Sequence, residues 1–225
     1  MADITQCGVV TAIGLKKCGS SQIGKSFREK TWEPYQFPDT PNRQRYVTAF
    51  RNPAHRLVSC WNHLIRPRYE QPGPDDYLPE MLEQHKTKFG PRWSFPEWCA
   101  WVIAQDPETM NAHMRPQTRE LADILRDTDG LIWIGQLERM QDLAKGPLTK
   151  WLRWSCSMPD KKRHPYANGV WPNYYTPELL RAVRRYYASD YKVWLMLYGN
   201  GCEIFNTRRF SQWADLTNGR QCVML

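Results

Sequence analysis

The strongest constraint on this chain is an apolar run that breaks directly into a loop of small residues. Val9 to Leu15 reads VVTAIGL, short and rich in β-branched residues. Such a run predicts a strand buried on both faces. Lys16 to Ser20 follows as a loop, and a helix is expected from about Ser21 to Lys30. The same alternation recurs. Arg45 to Phe50 (RYVTAF) reads as a second strand, and Asn52-Pro53 then opens a helix, with Asn as cap and Pro at the first helical position. That helix is expected to run to about Ile65, with Leu57, Trp61 and Leu64 facing the core. Ser94 begins another helix, SFPEWCAWVIA, and DPETMNAHMRPQ reads as loop. Leu131 to Gly135 (LIWIG) is a third strand, followed by a helix from about Leu137 to Trp154, and Thr176-Pro177-Glu178 starts a last helix. The expected fold class is therefore α/β, a central, mainly parallel sheet flanked by helices. The reading spans 1–225 as one domain, with 66–92 as a substrate-side excursion and 200–225 unassigned.

The first loop has two readings. Gly19 to Ser26 spells G-x-x-x-x-G-K-S, the phosphate loop of proteins that split ATP or GTP. Lys17 to Ser21 spells K-x-G-S-S, a shorter anion-binding loop with its lysine in front. Both use the same physics: free N–H groups at a helix start, and small residues that let a phosphate approach the backbone. They differ in what else they need. A nucleotide triphosphatase holds Mg²⁺ with an Asp at the end of another strand. Here RYVTAF runs into Arg51 and LIWIG into Gln136. Arg51 at a strand end, with Ser59 two helical turns past the Asn52 cap, reads instead as a second phosphate site. Two phosphate sites without a metal-binding aspartate suit a nucleotide phosphorylated at both its 5′ and 3′ positions.

Composition narrows the partners. Lys and Arg exceed Asp and Glu by 31 to 23, a net charge of +8, which favours an anionic ligand. The basic residues are scattered and form no tail, so nucleic acid is not the expected partner. The 7 cysteines include no C-x-x-C pair, and no metal site is expected. No charged-then-apolar leader opens the sequence, and no apolar run approaches the ~20 residues that span a bilayer. A soluble, cytoplasmic protein without stable membrane insertion is expected. Cys222-Val223-Met224-Leu225 matches the C-a-a-X prenylation pattern, a match that four residues also give by coincidence.

Several stretches together resemble the sulfotransferase family, specifically the group related to carbohydrate sulfotransferases. They are KKCGSS, RNPAHRLVS, MNAHMRPQ, WIGQLERM and NYYTPELLRAVRRYYASDYKVW, in the family's order over roughly residues 9 to 198. The resemblance implies a P-loop-NTPase-like sulfotransferase fold and the donor 3′-phosphoadenosine 5′-phosphosulfate, with no metal. It departs at Lys16, where the family usually has Pro, and at Gln22, where an aromatic is often found. The implied reaction is in-line transfer of a sulfuryl group to a hydroxyl or amine of a small-molecule or glycan acceptor. Lys17 would stabilise the leaving phosphate, and the loop Cys18, Gly19, Ser20, Ser21 and Gln22 would hold the 5′-phosphate. Arg51 and Ser59 would hold the 3′-phosphate. Lys162 and Arg163, beside Lys161, lie where relatives close over the donor, and equally fit a solvated charge run.

The general base has two candidates. His113 titrates in the right range but equally fits a structural histidine holding its loop. Glu33 is a carboxylate shortly after the first helix. His63 either faces the acceptor or packs on the helix surface, and Arg115 either binds an anionic acceptor or pairs with a nearby acid. Two other functions stay open: a P-loop kinase or NTPase built on Gly19 to Ser26, and a nucleotide binder without turnover.

Overall fold

The computed structural model describes residues 3–7, 10–15, 18, 44–62, 94–152 and 171–218. It contains a five-stranded sheet in the order β1-β2-β3-β4-β5. The strands are β1 (Asp3–Cys7), β2 (Val10–Gly14), β3 (Gln44–Phe50), β4 (Gly130–Gln136) and β5 (Cys202–Asn206). The α/β class holds, but the sheet is mixed. β2, β3 and β4 are parallel neighbours, while β1 and β5 add antiparallel edges. The central three are the runs expected from sequence, because burial on both faces makes a strand continuously apolar.

The described helices are α1 (Pro53–Cys60), α2 (Phe95–Val102), α3 (Gln117–Leu125), α4 (Met140–Lys145), α5 (Pro147–Leu152), α6 (Pro177–Tyr186), α7 (Ala188–Met196) and α8 (Thr207–Asn218). The single helix expected over 137–154 is in fact a 3-10 turn (Leu137–Arg139) followed by α4 and α5. The break falls at Gly146-Pro147. Pro147 has no N–H to donate, and its ring would clash with the preceding helical turn, so it opens a new helix instead. The Ser94 start is as expected: the Glu97 carboxylate accepts from both the N–H and the hydroxyl of Ser94. These bonds hold the Glu97 carboxyl below its usual range. At α6, Thr176 Oγ1 accepts the Leu179 N–H at 3.2 Å, an ordinary N-cap.

The chain divides into two compact units. The first comprises Met1–Asn52, Asn111–Lys162 and Tyr187–Leu225. Its sheet carries an apolar layer on each face. One side joins Val10, Ala12, Val47, Ala49 and Trp133 to Met140, Leu143 and Leu148 of α4 and α5. The other joins Ile13, Phe50, Ile132 and Ile134 to Leu121 and Leu125 of α3, Val193 of α7 and Phe210 of α8. After α7 the chain turns back into β5 through Gly201, whose φ of 76° is the left-handed conformation glycine tolerates.

The second unit comprises Pro53–Met110 and Arg163–Tyr186. Its described core is aromatic. Trp61, Phe95 and Trp98 meet at ring-centre distances of 5.6–6.1 Å. Tyr174 and Tyr175 set their edges against Phe95 at 5.3 and 5.0 Å. The Tyr175 hydroxyl donates to the Ala54 carbonyl of α1. Among the described residues, no helix is long and apolar enough to cross a membrane.

Candidate functional site

Because β2 and β3 are parallel neighbours, their carboxyl ends lie at the same end of the sheet. Val10 pairs with Arg45 and Ala12 with Val47. Continuing that offset sets Leu15 level with Phe50, the residue before Arg51. The end of β2 and the end of β3 are thus placed side by side by the sheet itself, at the edge where ligands bind in open α/β sheets.

One side chain ties them together. Gln117, the first residue of α3, is fully buried. Its Oε1 accepts the Cys18 thiol at 2.7 Å and the Arg51 N–H at 2.9 Å. Its Nε2 donates to the Arg51 carbonyl at 2.9 Å and to Asp190 Oδ2 at 3.3 Å. All four hydrogen-bonding sites of the amide are used. The orientation is fixed chemically, since an N–H can face only the amide oxygen and a carbonyl only its NH₂. Cys18 is further held by its N–H, which donates to the Leu15 carbonyl at 3.0 Å.

Behind Gln117 stands Asp190 of α7, also fully buried. Its carboxylate accepts the N–H groups of Gln117 and Thr118, each at 2.8 Å, and the Thr118 hydroxyl at 2.7 Å. The Thr118 and Ser189 hydroxyls are 2.9 Å apart. Asp190 therefore caps α3 from another helix and sets negative charge against the positive end of its dipole. The first two N–H groups of α3, those of Gln117 and Thr118, are occupied by the chain's own carboxylate. A further link joins β3 to the segment after β4: the Asn52 N–H donates to Glu138 Oε1 at 3.1 Å.

His113 lies four residues before Gln117, in a turn organised by Asn111. The Asn111 carbonyl accepts the N–H groups of Met114 and Arg115, each at 2.9 Å. Asn111 Oδ1 accepts the His113 N–H at 3.0 Å and lies 2.9 Å from His113 Nδ1. Since the backbone N–H requires an oxygen there, Nδ1 must be the donor. The neutral ring then carries its proton on Nδ1 and its lone pair on Nε2. Arg115 pairs with Asp123 at 2.7 Å. Asp123 also meets Arg126, which reaches Asp215, itself 3.6 Å from Arg119.

Of the residues expected from sequence, Cys18 and Arg51 are brought together through Gln117. Arg51 is buried at the end of β3, and Ser59 is half-buried on α1 in the second unit. Lys17, Gly19, Ser20, Ser21, Gln22, Glu33, His63, Lys162 and Arg163 lie outside the described residues, as do Gly24 to Ser26 and the C-terminal Cys222. Gln117, Asp190 and Asn111 were not singled out by sequence reasoning. A glutamine directly after Pro116 at a helix start was the available signal for the first. Among the described residues, no group of three or more His, Cys, Asp or Glu could hold a metal ion. Comparisons with family models, with curated proteins and with solved structures return no match.

Proposed function

We propose that this chain is a sulfotransferase that moves a sulfuryl group from 3′-phosphoadenosine 5′-phosphosulfate to a hydroxyl or amine of an acceptor, with a carbohydrate the favoured class. One observation carries the reading: four sequence segments that resemble the family meet in the hydrogen bonds of Gln117, and a fifth reaches the adjoining Asn52. KKCGSS supplies Cys18, RNPAHRLVS supplies Arg51 and Asn52, MNAHMRPQ supplies Gln117, the ASDYKVW stretch supplies Asp190, and WIGQLERM supplies Glu138. Segments as far apart in sequence as Cys18 and Asp190 are joined beside the ends of the parallel strands, where ligand loops lie in open α/β sheets.

The donor set fits a doubly phosphorylated nucleotide in its chemistry. The loop after β2 offers Lys17 and small residues, and β3 ends in a guanidinium. The donor supplies the sulfuryl group: the bond from sulfur to the 5′-phosphate breaks with its electrons on the bisphosphate, a bond forms from the acceptor oxygen or nitrogen, and the acceptor proton leaves. Lys17 offsets charge on the leaving phosphate. His113 takes the acceptor proton on Nε2, the lone-pair nitrogen of the neutral ring whose Nδ1 donates to Asn111. Glu33 is the alternative base.

The test is transfer of label from sulfur-labelled donor to a panel of oligosaccharide acceptors. Wild type labels at least one acceptor, and His113→Ala lowers the rate by about 10²–10⁴, the usual contribution of a general base, without weakening bisphosphate binding. Undiminished transfer in His113→Ala moves the base to Glu33. No transfer by wild type, with bisphosphate still bound, makes the chain a binder without turnover.

A further inference from the structure

We infer that Tyr187 is a positioning residue for the general base: its hydroxyl, at the start of α7, sets the turn that aims His113. The inference rests on the sulfotransferase reading with His113 as base, and goes beyond it.

Residues 111–115 lie outside any helix or strand. Pro116 also biases Arg115 towards extended backbone, so the turn does not run on into α3 as helix. Its shape therefore depends on where its backbone groups find partners. The peptide between Met114 and Arg115 is gripped from both sides. Its N–H, that of Arg115, donates to the Asn111 carbonyl at 2.9 Å. Its C=O, that of Met114, accepts the Tyr187 hydroxyl. The Asn111 carbonyl also accepts the Met114 N–H, so both polar backbone groups of the residue after His113 are held. Asn111 in turn holds the His113 N–H and Nδ1 through its Oδ1. A continuous path runs from the Tyr187 hydroxyl through the 114–115 peptide and Asn111 to the imidazole.

The far end of that path is anchored. Tyr187 and Met114 are both buried. Tyr187 is the cap residue of α7 and stands just before Ser189 and Asp190, which hold Thr118 and Gln117. One short stretch, 187–190, thus seats the His113 turn and the start of α3 together.

A base must meet its proton at hydrogen-bond distance, and a misplacement of about 1 Å can cost ~10²-fold in rate. Without the Tyr187 hydroxyl, the buried Met114 carbonyl loses this donor and its peptide is free to turn. Asn111 and the ring move with it. The chemical step should slow while donor and acceptor still bind. A role confined to stability would leave the rate of the folded protein unchanged. Ser211 of α8 supplies the matching control. It is buried, and its hydroxyl donates to the Ala122 and Thr207 carbonyls at 3.3 and 3.1 Å, so Ser211→Ala loses the same kind of bond away from the turn.

Full-length wild type, Tyr187→Phe and Ser211→Ala are compared in three ways. Transfer is measured from sulfur-labelled donor to the first oligosaccharide of the panel that wild type labels. Thermal unfolding is followed for each. The ring nitrogens of His113 are observed by NMR at a pH where the imidazole is neutral. Tyr187→Phe keeps the buried ring. Its kcat falls about tenfold, within the loss that a small misplacement causes. Its KM values stay within about twofold of wild type, as expected when ground-state binding is untouched. Its two ring-nitrogen signals draw together as the tautomers mix. Ser211→Ala loses stability but keeps the kcat and the ring signals of wild type.

Equal rate losses in Tyr187→Phe and Ser211→Ala, a change in KM alone, or unmoved His113 signals in Tyr187→Phe would overturn the positioning and leave the sulfotransferase reading in place. Undiminished transfer in His113→Ala also overturns it, because the base then lies elsewhere. A wild type that labels no acceptor overturns the sulfotransferase reading, and the positioning with it.

Discussion

At the strand ends of the first unit, Gln117 and Asp190 are buried polar groups held by directional hydrogen bonds. The second unit centres on Trp61, Phe95 and Trp98, whose rings are held by area and shape. The difference is one of what each kind of contact specifies. A hydrogen bond to a backbone N–H fixes a position and a direction, and costs heavily when one partner is removed. An aromatic cluster fixes volume and tolerates small rearrangements. A bridge that holds one strand end against another needs the first kind. A packed core needs only the second.

The contrast can be broken most severely at Asp190. Asp190→Ala leaves the Gln117 and Thr118 N–H groups, the Thr118 hydroxyl and the Gln117 NH₂ without their shared acceptor. A stability loss of about 3 kcal/mol or more is expected in denaturant titration. Asp190→Asn, which keeps one acceptor oxygen, falls in between. If Asp190→Ala is near wild type, the polar bridge is not what orders the strand ends.

A smaller effect is expected at Asn111, and in rate rather than stability. Asn111→Ala frees the His113 ring to exchange tautomers, and sulfuryl transfer should slow by about tenfold or more, a part of the ~10²–10⁴ that a general base contributes. Unfolding should be little changed. A loss confined to thermal stability would make Asn111 a turn-former only.

At neutral pH the aromatic unit shows no such effect; one appears there only at alkaline pH. Cys99 of α2 is buried, and burial pushes its thiol up to about 12. An unfolded thiol ionises near its ordinary value of 9.0. Below that pH both states are neutral and the contribution is fully present. Above it the unfolded state ionises first, so stability is lost as pH rises toward 12. The slope approaches about 1.4 kcal/mol per pH unit. Cys99→Ala should flatten the alkaline limb of stability relative to wild type, and identical limbs would show that the thiol is not shielded.

The sequence was legible where a segment carries its own signal. β2, β3 and β4 are apolar runs, α2 has the Ser94–Glu97 box, and α6 has Thr176-Pro177. It was silent where the signal comes from elsewhere. The position before α3 is Pro116, which offers no side-chain cap, and the carboxylate that caps the helix is Asp190, 73 residues from Gln117. β1 (DITQC) and β5 (CEIFN) are antiparallel edge strands with mixed composition, and neither shows a continuous apolar run. The same reason hid Gln117. His113 and Arg115 drew attention as chemical side chains, but the neutral amide beside them is what joins Cys18 to Arg51. Its importance is set by partners 66 and 99 residues away, which no local pattern encodes.

The central claim is that the loop after β2 and the end of β3 form a two-phosphate nucleotide site with its lysine in front. Its most direct test is calorimetric titration with adenosine 3′,5′-bisphosphate, against ATP with Mg²⁺, on wild type, Lys17→Ala and Lys25→Ala. The predicted result is micromolar bisphosphate binding that weakens in Lys17→Ala and is indifferent to Lys25 and to metal. Binding of ATP with Mg²⁺ that Lys25→Ala abolishes would contradict it, and would assign the loop to the chemistry of a nucleotide hydrolase or kinase.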